Sequence, residues 1–169
     1  MTRKRLALIA IVFVGLAYAT LIQSFSWNQT SHYDLTRSLN VETTNIDAYQ
    51  ENTGDKVFYK GHWFSARAPG LALFSMPFYD VLKGLDAEKW ARKSEALRGE
   101  DEMIYLLGLW GNVLPGLLLL VLVWRVAERF EPGYGGPTAV VLGLGTMVLP
   151  FSTLLFSHVF AATLGFAAF

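Results

Sequence analysis

Residues 103–124 read MIYLLGLWGNVLPGLLLLVLVW, 22 positions without a charge, closed on the far side by Arg125 and Arg129. A hydrocarbon core about 30 Å thick takes roughly 20 helical residues, so this stretch by itself points to a membrane protein. Similar runs lie on both sides of it. Leu6 to Ile22 carries no charge and follows Arg3-Lys4-Arg5, and in the stretch 137–169 His158 is the one ionisable side chain. A single helix over that last stretch would reach about 50 Å, too long for one crossing, so two crossings with a break between Pro150 and His158 are expected. The expected fold is an all-α polytopic membrane protein with four transmembrane helices, at 6–22, 103–124, 137–156 and from 157 onward. The fourth stops mid-run at Phe169, so the chain reads as the N-terminal portion of a larger protein.

The rest of the composition agrees. Of 169 residues, 53% are hydrophobic and 17% charged, with 14 basic against 14 acidic side chains. Soluble domains carry about 25% charged residues. Zero net charge, with no basic run beyond the first five residues, argues against nucleic acid as a partner. Without cysteine there are no disulfides, zinc-thiolate sites or thiol nucleophiles. A cleaved signal peptide is the alternative for the first run, because Ala17-Tyr18-Ala19 is an A-x-A site; apolar character continuing through Leu21, Ile22 and Phe25 favours a retained anchor. Lys and Arg resist translocation, so Arg3, Lys4 and Arg5 put the N-terminus in the cytoplasm, and Arg125 with Arg129 put the loop 126–136 there too. Residues 23–102 then form an extracytoplasmic loop.

Long loops with structure of their own tend to be functional. Residues 26–59 are polar and turn-rich, and Val57 to Phe64 alternates aromatics around Gly61, as a short hairpin would. Residues 71–82 are apolar, too short to cross, and follow Pro69-Gly70, which predicts an interfacial helix. Residues 86–102 are charge-dense, with Glu88 and Arg92 one helical turn apart, and read as a solvated helix without chemistry. Asn28-Gln29-Thr30 is a glycosylation sequon, and Gly143-x-Gly145 lies in an apolar span where helix packing explains it better than a dinucleotide. A set of polar groups falls close to the outer surface: His32, Asp34, Arg37, Asp47, Asp55, Lys56, His62, Arg67 and His158. Asp34 lies about a dozen residues after a membrane exit, and Arg67 precedes the turn into the interfacial helix. A carboxylate and a guanidinium at one membrane surface suit a lipid-linked phosphate, the first taking a proton from an acceptor hydroxyl and the second holding the phosphate leaving group.

Three segments in order, SFSWNQTSHYDLTRSL (24–39), NIDAYQENTGDKVFYKGHWFSARAPGLALFSMPFYDVL (45–82) and LGLGTMVLPFSTLLFSHVFAATLGFAAF (142–169), resemble the N-terminal third of bacterial GT-C-type integral membrane glycosyltransferases, the relatives of protein O-mannosyltransferases and of the aminoarabinose transferase of lipid A. The resemblance implies a multi-pass protein of the bacterial inner or plasma membrane that takes a sugar from a polyprenyl-phosphate donor on the extracytoplasmic side, with inversion. It implies Asp34 as general base and, from the segment Phe64-Ser65-Ala66-Arg67-Ala68-Pro69-Gly70, Arg67 as the contact to the donor phosphate. Arg37, Asp47, Asp55, His62 and His158 are the candidate supporting groups. Two departures stand out: Tyr33 precedes Asp34 where the family often has a second acid, and Ala66 precedes Arg67 where an acid can stand. No organic cofactor is implied. Asp34, Asp47 and Asp55 offer oxygen ligands to a divalent cation but have no fixed ligand spacing. The competing readings are a non-catalytic membrane protein that binds a lipid-linked glycan or a partner with the same loop, and a transporter, which the near-absence of polar groups in the spans disfavours.

Overall fold

The structure is a computed structural model that describes residues 2–21, 23–87 and 99–169. It is mostly helical. Helix α1 (Arg3–Thr20) and helix α2 (Trp27–Asn40) precede a two-stranded sheet of β1 (Lys56–Tyr59) and β2 (His62–Ser65), followed by α3 (Gly70–Gly84). Helix α4 (Gly99–Gly108) runs through a π-helical turn (Leu109–Val113) into α5 (Leu114–Phe130), and α6 (Gly135–Gly145), α7 (Val148–Ser152) and α8 (Ser157–Ala167) complete the chain.

Among the described residues one continuous helix, Asp101–Phe130, is long and apolar enough to cross a membrane. Its 30 residues reach about 45 Å. The expected first span is helical over α1, whose first turn holds Arg3, Lys4 and Arg5, but α1 falls short of the length and apolarity that the Asp101–Phe130 helix has. The expected third span is shorter than predicted: α6 ends at Gly145, and Thr146 is extended before α7 begins. Pro150 explains this, since its ring would clash with the carbonyl of Thr146 in a continuous helix. The Thr146 hydroxyl stabilises the break by donating to Leu142 O at 2.6 Å and accepting from Val148 N at 3.2 Å. The restart at Ser157 falls where the sequence predicts it.

The break is held from the π-helical turn. Asn112 is fully buried there, and its Nδ2 donates to the carbonyl of Phe151 in α7 (3.0 Å) and to that of Phe156 in the α7–α8 connection (2.6 Å). One core packs α1, α5 and α6 around Ile11, Val14, Tyr18, Leu120, Trp124 and Ala139. Gly143 permits this approach: a Cβ there would meet Val14 and Leu120 side chains at 3.0 and 3.1 Å. A second core gathers Tyr33, Leu71, Tyr79, Met103, Ile104 and Leu107 from α2, α3 and α4.

In the loop the hairpin forms as expected. Its strands pair antiparallel with Phe58 opposite Trp63 and Tyr59 opposite His62. Lys60 and Gly61 both take positive φ (50° and 86°), as a two-residue type I′ connection requires. The segment expected to be interfacial is helical over α3, with Leu71, Ala72, Ser75, Tyr79 and Leu82 on its buried face. The turn-rich expectation for 26–59 needs correction, because residues 27–40 are helix. Ser26 caps α2, with Gln29 Oε1 accepting from its N–H at 2.5 Å. The helix WNQTSHYDLTRSLN is mostly polar and nevertheless buried at Gln29, at 31–36 and at Ser38, and it packs against α3 and the hairpin. The Glu88 and Arg92 pair lies outside the described residues.

Candidate functional site

Helix α2 carries the site, because its buried polar faces hold the carboxylate, the histidine and the anchors of the following loop. Asp34 lies in mid-helix with no exposed surface. Its Oδ1 is 3.7 Å from Arg37 Nη1 one turn further on, and 3.4 Å from Asn52 Nδ2. Arg37 is positioned in turn by aromatic rings, its guanidinium carbon 3.8 Å from the centre of Tyr49 and 5.0 Å from that of Tyr33. A buried carboxylate without such partners would be costly, so this arrangement keeps an acid where water does not reach.

The hairpin delivers the second charge pair. Lys56 opposes Ser65 in the ladder, which brings the residues flanking each strand together. Arg67 Nε and Nη2 both donate to Asp55 Oδ2. With the Asn28 amide oxygen turned toward the guanidinium, Arg67 Nη1 donates to it at 2.9 Å. Ser31 ties the pair to α2: its hydroxyl donates to Asp55 O at 2.7 Å and lies 2.7 Å from Ser65 Oγ, which accepts from Arg67 N at 3.2 Å. The Arg67 side chain remains about one-third exposed at 35%, so an incoming anion can reach it.

His32 lies between these layers. It is 2% exposed and its Nδ1 has no hydrogen-bond partner among the described residues. Burial, aided by the positive charge of Arg67, pushes its pKa down to about 4; Asp55 opposes the shift and His158 adds to it. It is a neutral imidazole at physiological pH.

The remaining expected groups divide. His158 is exposed at the start of α8 and stacks on Phe151 with ring centres 4.2 Å apart. Asp47 and His62 pair with each other at 2.6 Å, and Asp47 Oδ1 also accepts from Trp63 N at 2.6 Å. The backbone N–H of Trp63 and then His62 lower the Asp47 pKa. This clasp fastens the hairpin to the preceding loop. Asp34, Asp47 and Asp55 thus engage three different partners, and among the described residues no group of three His, Asp or Glu side chains is placed to hold a metal ion.

A cavity of about 350 Å³ opens beside α2, lined by Phe25, Trp27, Thr30, Asn52, Asp101 and Ile104. Asn52 touches both this space and Asp34, which is itself outside the lining. Asn28, Asn52 and Asp101 were not legible as site residues. Asp101 is among the last acids before the apolar run, and the two asparagines are ordinary loop residues until α2 and the hairpin register are known.

Comparison with protein families, with characterised proteins and with solved structures gives no match. The function therefore has to be argued from this geometry and from the resemblance of its motifs.

Proposed function

We propose that this chain handles a polyprenyl-phosphate-linked sugar at the extracytoplasmic membrane surface, as an inverting glycosyltransferase of GT-C type. The observation that supports it best is the burial of Asp34 and His32 on α2, beside an Arg67–Asp55 pair open to solvent and a cavity that Asn52 connects to Asp34. In this reading the acceptor hydroxyl oxygen attacks the anomeric carbon from the face opposite the phosphate. Asp34 takes the hydroxyl proton, the bond between the sugar and the phosphate oxygen breaks, and Arg67 holds the departing polyprenyl phosphate. Neutral His32 lines the same region without adding a charge that would compete with Arg67.

Arg67→Ala is expected to weaken binding of a polyprenyl-phosphate hexose by on the order of 10-fold to 100-fold, the value of one charge-assisted contact. Arg67→Lys should fall between, because the ammonium keeps the charge and loses the fork. Titration of the purified protein in detergent with that donor measures both. Unchanged affinity in the alanine variant leaves Arg67 as a structural partner of Asp55.

The membrane arrangement belongs to the same proposal: α1, the α4–α5 helix and α6–α7 cross and α8 begins a fourth crossing, with the N-terminus in the cytoplasm. The chain has no cysteine, so single cysteines at Lys60, on the hairpin tip, and at Glu131, after α5, report topology directly. An impermeant thiol reagent is expected to label position 60 from outside and position 131 from inside only. Labelling of both from one side overturns this topology.

One observation favours a non-catalytic second reading. Both charged pairs of the site are already closed, Asp34 on Arg37 and Arg67 on Asp55, as they would be in a rigid glycan-binding loop.

A further inference from the structure

The opposite end of the α1–α5–α6 core carries an opening that the glycosyl-transfer reading does not use. A cavity of about 480 Å³ lies between α1, α5 and α6, with an apolar wall that includes Leu6, Ala10 and Val140. Arg3, Trp124 and Glu128 are also in its lining. Around the same Trp124 and Glu128 a second hollow of about 370 Å³ is lined by Lys4, Arg125 and Arg129. The two hollows adjoin at Trp124 and Glu128, the first giving the groove its apolar depth and the second its basic mouth.

The charges at that mouth are not neutralised from within. Arg3, Lys4, Arg125 and Arg129 are exposed, and among the described residues no ion pair engages any of them. The acid between them is committed elsewhere: Glu128 Oε1 accepts from Gly133 N at 2.9 Å and its Oε2 from Gly135 N at 3.0 Å, closing the loop into α6. Four cations around one occupied carboxylate leave a site that attracts an anion, while the wall behind them suits hydrocarbon.

We infer that this groove binds an anionic phospholipid, with its phosphate on Arg3, Lys4, Arg125 and Arg129 and an acyl chain against Leu6, Ala10 and Val140. Basic recesses between membrane helices on the cytoplasmic side recognise such headgroups, each cation contributing about fivefold in affinity. The inference rests on the membrane part of the proposed function and is independent of Asp34 and Arg67.

Native mass spectrometry of the purified chain in detergent tests it, with phosphatidylglycerol and phosphatidylcholine of identical acyl chains added at equal concentration. Phosphatidylglycerol is expected to bind on the order of tenfold tighter or more. Arg125→Gln with Arg129→Gln should remove most of that preference, whereas Ala10→Phe, which keeps every charge and fills the wall, should lower retention of both lipids. Equal binding of the two lipids overturns the inference. Competition by millimolar inorganic phosphate that abolishes the preference, with no effect of Ala10→Phe, also overturns it and leaves a bare phosphate site. A chain that stays monomeric and soluble without detergent would instead remove the membrane reading itself, which separates that failure from failure of the groove.

Discussion

Asp34→Asn is expected to lower turnover by about 100-fold to 10,000-fold, the usual worth of general-base assistance, while donor affinity stays near that of the unaltered protein. The amide is nearly isosteric. Its oxygen can still accept from Arg37 and from Asn52, both of which approach Asp34 Oδ1, so the fold around α2 should persist. What it lacks is the capacity to take the acceptor's proton. Single-turnover assays with a polyprenyl-phosphate hexose and a separate donor titration give the two quantities. Equal loss of both marks Asp34 as the structural partner of Arg37. Near-normal turnover removes it from catalysis and transfers the base role to Asp47 or Asp55, which His62 and Arg67 engage.

Acid should destabilise the chain through His32. In the unfolded chain a histidine titrates near 6.5, and in the folded chain burial and Arg67 hold His32 near 4. Above about pH 6.5 both states are neutral and the residue has no pH-dependent effect. Between these values the unfolded state binds the proton and the folded state does not, so stability falls as pH drops from about 6.5 to about 4. The full difference is on the order of 3 kcal/mol. Thermal unfolding in detergent at pH 7.5, 6, 5 and 4 follows it. His32→Gln should flatten that part of the curve, because glutamine does not titrate. An unchanged slope in the variant would assign the acid sensitivity to other groups.

How much of this was legible in the sequence depended on what kind of signal each element left. The long apolar helix, the restart at Ser157, the hairpin and α3 all announce themselves through uninterrupted apolar runs, a Lys-Gly turn or a Pro-Gly entry. Helix α2 does not. Its few apolar residues, with Tyr33, Leu35 and Leu39 among them, are too sparse to mark a helix in a polar stretch, and its local signature is Ser26 three residues before Gln29. The end of α6 was missed for a different reason: Pro150 acts on the carbonyl four residues before it, which moves the break upstream of the proline. At the site, Asp34 and Arg67 could be named singly from their positions against the membrane runs. Their partners could not, because the Arg67–Asp55 pair exists only once Lys56 is set opposite Ser65, and His32 was named without a role because its burial follows from α2 being a helix.

The π-helical turn at Leu109–Val113 has a consequence for the whole chain. Each residue of an α-helix advances the direction of its side chain by about 100°, and a π turn absorbs one additional residue within the same axial rise. The two halves of the Asp101–Phe130 rod are therefore out of phase. Met103, Ile104 and Leu107 face α2 and α3, while Leu120 and Trp124 face α1 and α6. A single rod thus serves two cores that point in different directions, and one added or lost residue between Gly108 and Leu114 would turn one of them away from its packing partners.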